Sequence, residues 1–371
     1  MTFDKQELEF NALQYANNRS PMKIEKDAFQ LTPIDGGKEY SVNSNEILIK
    51  VHSAALNPVD IVLYNSAHPL ISYMKGGALQ GTGRDYSGTV VAVGDSVTKK
   101  LDFNVGDKVC GMYTHPFGKG TVSEYIRLDP FVDSAITNVP ENVSLEVACS
   151  WPLVYGTAQI MVETAKVETF SESSRVLVIG GATSVGRYVV QLCKNVYNVK
   201  DVVAICSASS AETVKSLGAN SIIDYKVHPN IFNPVSEYAA EKGKFDAIFD
   251  CCGNGDLFQD LPSLLQSNSS SYLTIQGNKK GDYTVASMSH YMKSNLSMFP
   301  RIFMNALGLL GYNYAFVMTK PGKWIHDGKK NIELGKVKIQ VDSVYKMNDF
   351  EEAFTKLRSN RASGKIIISV E

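Results

Sequence analysis

Residues 176–186 read Val-Leu-Val-Ile-Gly-Gly-Ala-Thr-Ser-Val-Gly, an apolar run that feeds a turn of small residues. A turn of this kind, opening a helix, points unpaired N–H groups and the positive end of the helix dipole at a phosphate. In the dinucleotide-binding form of the motif, one glycine makes the turn and a second lets the backbone approach the pyrophosphate. A third packs helix on strand. Gly181 and Gly186 take the first and third roles, and Ser184 and Val185 complete the turn. Thr183 stands at the middle position, where a β-branched side chain projects toward the phosphate path. The chemistry implied is the binding of a nicotinamide cofactor.

The second strand of such a unit decides which nicotinamide. It ends Ile205-Cys206-Ser207-Ala208-Ser209-Ser210, with no carboxylate before Glu212. An NAD site carries Asp or Glu there to bind the ribose 2′-hydroxyl. Small hydroxyl residues, Ser207 and Ser210 among them, leave room for a 2′-phosphate, so NADPH is expected over NADH. The same serines also suit the N-cap of the next helix.

The elements that must hold this turn follow from the pattern on either side. From Arg175 onward, apolar strand-like runs (175–179, 202–206, 221–225, 245–250 and 272–275) alternate with helix-like segments (185–197 and 211–217). That alternation means βαβ units and a doubly wound parallel sheet. Before Leu145 the chain instead shows short alternating runs such as Glu46–Ser53 and Tyr86–Val93, punctuated by Gly, Asn and Asp. Such punctuation suggests a barrel-like β unit. The tail from Val341 reads strand, helix, strand. The expected fold class is α/β, divided into a β-rich domain at 1–148, a Rossmann domain at 149–320 and a C-terminal return to the first domain at 321–371.

Composition narrows the partners. The chain has 371 residues, 44% of them hydrophobic, and a net charge of -1. No global basic charge draws it to nucleic acid. The six cysteines form no Cys-x-x-Cys pair and fall in apolar runs, which suits buried thiols in a reducing compartment. The N-terminus lacks signal and transit patterns, so a cytoplasmic location is expected. No uninterrupted apolar run reaches the roughly 18 residues of a membrane span. The nearest is 296–318, broken by Pro300, Arg301 and Asn305.

Further motifs occur in a set order. Ala54-Ala55-Leu56-Asn57-Pro58-Val59-Asp60 precedes Gly83-Arg84-Asp85-Tyr86-Ser87-Gly88, Val105-Gly106-Asp107-Lys108-Val109, Gly111-Met112-Tyr113-Thr114-His115 and Ser150-Trp151-Pro152-Leu153. The dinucleotide turn follows, then Ser216-Leu217-Gly218-Ala219, Ile223-Asp224-Tyr225, Phe245–Asp250 and Asn360–Ile366. This sequence resembles the zinc-free quinone-oxidoreductase branch of the medium-chain dehydrogenase/reductase superfamily, across about residues 10–371. It is most similar to a fungal subgroup whose members associate with lipid droplets or mitochondria.

The resemblance implies a GroES-like β-rich domain beside the Rossmann domain, and dimers are common in the family. It implies an NADPH-dependent enzyme that reduces a small apolar electrophile, a quinone or an α,β-unsaturated carbonyl. Zinc-dependent relatives carry Cys at the position of Asn57 and His at that of Arg84. Arg cannot ligate zinc, and no metal is expected. Asn57 matches the cleft asparagine and is the expected hydrogen-bond donor to the substrate. Tyr64, His68, Tyr73, Tyr86 and Tyr155 are candidates for the remaining donor, with Tyr64 and Tyr155 put forward. Tyr225 matches a tyrosine beside the 2′-phosphate. Cys252 and Gly253 match the loop after the fourth strand, and Gly277 and Asn278 the segment facing the nicotinamide. The Met-, Phe- and Tyr-rich segment 291–318 is open to several readings: a lid over the substrate, a lipid-docking surface, or packing at the pocket and a dimer interface. A non-catalytic, lipid-surface-associated protein of the same fold is the competing function.

Overall fold

The computed structural model describes residues 2–74, 78–114, 118–171 and 173–371. His115, quoted above, lies outside them, as do residues 75–77.

The β-rich unit is built from β1 (Glu7–Tyr15), β2 (Lys23–Gln30), β3 (Ile47–Leu56), β4 (Asp85–Val93), β5 (Lys108–Tyr113), β6 (Tyr125–Leu128) and β7 (Ser134–Asn138). Two helices, α1 (Pro58–Ser66) and α2 (Pro69–Met74), follow β3. α3 (Pro152–Thr164) then leads to the second unit. Its parallel strands are β8 (Arg175–Ile179), β9 (Asp201–Cys206), β10 (Ser221–Asp224), β11 (Ala247–Asp250), β12 (Ser271–Thr274) and β13 (Asn313–Phe316). The helices are α4 (Ser184–Gln191), α5 (Ala208–Ser216), α6 (Phe232–Lys242), α7 (Met288–Ser294), α8 (Met298–Ala306) and α9 (Trp324–Glu333). The chain closes with β14 (Val341–Lys346), α10 (Phe350–Arg358) and β15 (Lys365–Ser369).

The second sheet runs β10-β9-β8-β11-β12-β13, all parallel. Its strands are near-continuous apolar runs because helices cover both faces. Chain order reverses between β8 and β11, and ligands of such sheets bind outside the carboxyl ends of the strands at that switch point. The turn after Ile179 and the loop after Asp250 meet there. The helix expected at 185–197 is α4, continued by a π-type turn over Leu192–Val196. Apolar spacing across 145–164 covers two helices, because Pro152 restarts the chain after a short turn of helix at Leu145–Ala148.

The larger mixed sheet joins β7, β5, β4, β3, β15 and β14 in that order. β15 runs antiparallel to β3, pairing Ile366 with Leu56. β4 flanks the other side of β3, pairing Asp85 with Ala55. The C-terminal strands thus return to the first unit. That register gathers the start of β15, the end of β3 and the start of β4 at one sheet end.

Candidate active site

Two groups of residues face chemistry. The first is the turn after β8. Gly180 has φ +77, and a Cβ on Gly186 would stand 2.1 Å from the Gly180 carbonyl oxygen. A Cβ on Gly181 would meet the Ala204 side chain on β9 at 2.8 Å. The glycines therefore permit the close approach of helix, strand and turn that the motif requires.

Thr183 does not project outward as its type suggested. It is the N-cap of α4: its hydroxyl accepts from the Gly186 N–H at 3.0 Å and donates to the Gly180 carbonyl at 2.8 Å. The competing principle is helix capping, which turns a β-branched hydroxyl back onto its own helix. Among the described residues, no group accepts from the N–H of Ser184 or Val185. Those donors and the helix dipole suit a pyrophosphate.

The surrounding loops are shaped by buried polar anchors. Asp250, fully buried at the end of β11, accepts from the N–H groups of Cys252 (3.1 Å), Gly253 (2.8 Å) and Asn254 (2.9 Å). The Tyr272 hydroxyl also donates to it at 3.1 Å. Burial pushes its carboxyl up to about 6. A Cβ on Gly253 would strike the Lys279 carbonyl at 2.3 Å, and one on Gly277 would strike Asn295 Oδ1 at 2.4 Å. Asn295, itself buried, accepts from the Asn278 N–H at 2.7 Å. Cys252 and Gly253 thus stand against the turn and the 277–279 loop, with the Cys252 Cβ 3.0 Å from a Cβ built on Gly180. Burial raises the Cys251 and Cys252 thiols, so neither is a thiolate nucleophile.

At the end of β9, Ser207 holds the N-cap position of α5, but its hydroxyl bonds those of Ser209 and Ser210 and not a helix N–H. Sequence reasoning looked for a carboxylate only on β9. The β9–β10 register pairs Cys206 with Asp224, and Asp224 Oδ2 accepts from the Ala208 N–H at 3.1 Å. A carboxylate does stand beside the serines, delivered by the neighbouring strand. Tyr225 follows it, half-exposed.

The second group lies at the junction of β3, β4 and β15. Asn57 is buried, with its backbone N–H donating to Asp60 at 2.8 Å. Its Nδ2 donates to Asp85 Oδ2 at 2.9 Å and to the Ala55 carbonyl at 3.3 Å. Its Oδ1 accepts from Lys365 Nζ at 2.5 Å, and Lys365 Nζ also donates to Asp85 Oδ2 at 2.9 Å. Asp85 Oδ1 accepts from the Leu153 N–H at the start of α3, at 2.8 Å. Asp60, also buried, accepts from the Gly83 N–H at 3.2 Å. Burial raises its carboxyl to about 6, opposed by the charge of Arg84. Both N–H groups of the Asn57 amide are therefore spent inside the protein, against the expectation that it donates to substrate.

Of the expected donors, Tyr155 is fully buried on α3. Its hydroxyl bonds Gln159 and Asn331, and its ring packs on Trp151 and Tyr188. An aromatic at helical spacing here is core, so Tyr155 is corrected to a packing residue. The Tyr64 hydroxyl donates to the Ser20 carbonyl at 2.8 Å, and its ring packs on Tyr15. Tyr86 is buried against Ser134, while His68 and Tyr73 are exposed. Lys365 was quoted in a terminal motif, but nothing in its local spacing marks it. Its partners are 308 and 280 residues away.

One side chain ties the two groups together. Arg187 on α4 donates to the Ala182 carbonyl at 2.9 Å, the Ser363 carbonyl at 2.7 Å and the Ser363 hydroxyl at 3.0 Å. Lys365 follows Ser363 by two residues, a span of about 7 Å at most in extended chain.

Comparison with known proteins agrees with this architecture. Residues 43–137 match the alcohol dehydrogenase GroES-like domain family, and 217–368 match the zinc-binding dehydrogenase family. Protein YIM1 of Saccharomyces cerevisiae is 33% identical over 97% of this chain and 98% of its own. The chain belongs to the medium-chain dehydrogenase/reductase superfamily. Among solved structures, a quinone oxidoreductase from Coxiella burnetii has TM-score 0.72 and 21% identity, covering 98% of this chain and 100% of that one. The CurK enoyl reductase has TM-score 0.68 and 19% identity, covering 98% of this chain and 99% of that one. Dehydrogenases of this family are oxidoreductases that bind nicotinamide cofactors.

The zinc in the family's name does not fit this chain's residues. Where the resemblance sets the ligand positions, at Asn57 and Arg84, the side chains offer an amide and a guanidinium, and the Lys365 ammonium contacts Asn57. Among the described residues no three His, Cys, Asp or Glu side chains cluster to hold a metal. No helix among them is long and apolar enough to cross a membrane.

Proposed function

We infer that the protein is an NADPH-dependent reductase of small apolar electrophiles, quinones or α,β-unsaturated carbonyls. The observation that carries this is the pair of open N–H donors, Ser184 and Val185, at the switch point, tied through Arg187 and Ser363 to a buried polar cluster. The bound nicotinamide would supply the hydride. The Ser184 and Val185 N–H groups would hold the pyrophosphate, and Ser207 and Ser210 would offer hydroxyls to the ribose end. Cys252, Gly253, Gly277 and Asn278 wall the path between. The Asp224 carboxylate beside the serines repels a 2′-phosphate, so the preference for NADPH over NADH is small. The test is a titration with each cofactor followed by turnover on a quinone and enone panel. Saturable NADPH binding with turnover supports the reading, and binding without turnover on any electrophile contradicts it.

A second reading rests on one surface. Met288, Met292, Leu296, Phe303, Leu307 and Leu309 are exposed on and beside α7 and α8. Across 275–323 the only acidic residue is Asp282, against Lys279, Lys280, Lys293, Arg301, Lys320 and Lys323. An apolar face among cations suits peripheral association with an anionic lipid surface. Flotation with phosphatidylserine vesicles tests it, and a homodimer on the same face would show instead as doubled mass in light scattering.

A further inference from the structure

A lysine begins β15, a strand otherwise made of buried aliphatic residues and a serine, with burial throughout its first four positions. Lys365 is only 3% exposed. A buried ion pair is often no more stabilising than well-packed apolar residues of similar volume. Stability alone therefore does not explain a charge here.

Its geometry does. An ammonium has three N–H donors. Two are directed at Asn57 Oδ1 and Asp85 Oδ2. Among the described residues, no acceptor takes the third. Asn57 by contrast has no donor to spare, since its Nδ2 serves Asp85 and Ala55. Its amide cannot turn round, because that would set NH2 against the ammonium and the oxygen against the carboxylate. The cluster thus holds one uncommitted donor, and the Arg187–Ser363 contacts connect it to the dinucleotide turn.

We propose that Lys365, not Asn57, donates the hydrogen bond to the substrate oxygen, and that Asn57 and Asp85 orient it. This rests on the reductase reading. In enone reduction, hydride adds to the β-carbon, the C=C π pair becomes the new C=C of the enolate, and the C=O π pair moves onto the oxygen. The C=O π bond becomes a C–O⁻ bond, and the nicotinamide is oxidised. Lys365 stabilises that oxygen through its third N–H, and the enolate takes a proton at its α-carbon from solvent water as it leaves the site. A donor preorganised in a site closed to bulk water acts where charge develops.

The test pairs Lys365→Met with Asp85→Asn, so that neither charge is left alone. Removing one oxyanion donor costs about 100–1,000-fold in turnover. The double variant is expected to lose about that much kcat/KM on an enone while its NADPH affinity stays within about threefold. Lys365→Arg, which keeps the charge and donors, should recover at least about tenfold of the loss. 4-Nitrophenolate, a stable oxyanion, gives a readout free of turnover. It should bind the wild type at least about tenfold more tightly than the double variant. Turnover and phenolate binding both unchanged in a folded double variant would overturn the proposal. A wild type that binds neither nicotinamide would overturn the reductase reading instead, and the phenolate titration would still decide Lys365.

Discussion

Replacing Thr183 by alanine should move stability and cofactor affinity in opposite directions. Its hydroxyl holds the Gly186 N–H at 3.0 Å and the Gly180 carbonyl at 2.8 Å. Losing an N-cap hydroxyl to alanine costs about 1 kcal/mol, equivalent to a Tm lower by about 2–4 °C in a domain of this size. The same change frees a third N–H at the helix start. A hydrogen bond to a charged group contributes about 1.5–3 kcal/mol, and about 1.4 kcal/mol is tenfold in affinity. NADPH should therefore bind at least about tenfold more tightly to a protein that melts a few degrees earlier. Thr183→Gly, which caps nearly as well, should gain affinity with little change in Tm. Differential scanning fluorimetry and nicotinamide fluorescence read the two quantities separately. A fall in both, or no change in affinity, would refute the view that Thr183 competes with the phosphate for the Gly186 N–H.

Three other outcomes follow from the geometry. Gly186→Ala places a Cβ 2.1 Å from the Gly180 carbonyl; the turn must shift, and cofactor affinity measured by fluorescence should drop by at least about tenfold, or about 1.4 kcal/mol. Lys365→Met alone strands Asp85 in the interior and should cost about 3–5 kcal/mol; adding Asp85→Asn should restore part of it in denaturant melts, where simple additivity would contradict the pairing. Asp60 has its carboxyl raised from 3.8 to about 6 by burial. Between those values the folded state binds the proton and the unfolded state releases it, so this group's contribution falls as pH rises and is constant above about 6. The Tm of wild type minus that of Asp60→Asn should accordingly decrease from pH 4 to 6, and a flat or rising difference would count against the assignment.

The sequence made the second unit legible because its signals are local. A strand, a glycine turn and a capped helix are contiguous, and alternation of strands and helices fixes a parallel sheet by itself. Side-chain direction was not legible in the same way. Thr183 as a residue type permits both a blocking and a capping role, and only backbone geometry chooses. Tyr155 and Tyr64 carry the hydroxyls chemistry would want, yet one is core and the other is spent on the Ser20 carbonyl. Asp224 and Lys365 escaped for a different reason. Each acts across a strand pairing, and the register that sets Lys365 beside Asn57 links residues 308 apart. The buried Asp250 was read as the end of a strand. Its role as the anchor of the 252–254 loop emerges from the donors that converge on it.

The proposed function stands or falls on whether the turn after Ile179 holds a nicotinamide cofactor. Titration of the full chain with NADPH and NADH, followed by fluorescence of the reduced nicotinamide, tests it most directly. NADPH should bind saturably below the roughly 1 mM upper end of usual KM values, NADH more weakly, and Gly186→Ala should weaken both by at least about tenfold. No saturable signal from either cofactor at about 1 mM would contradict it.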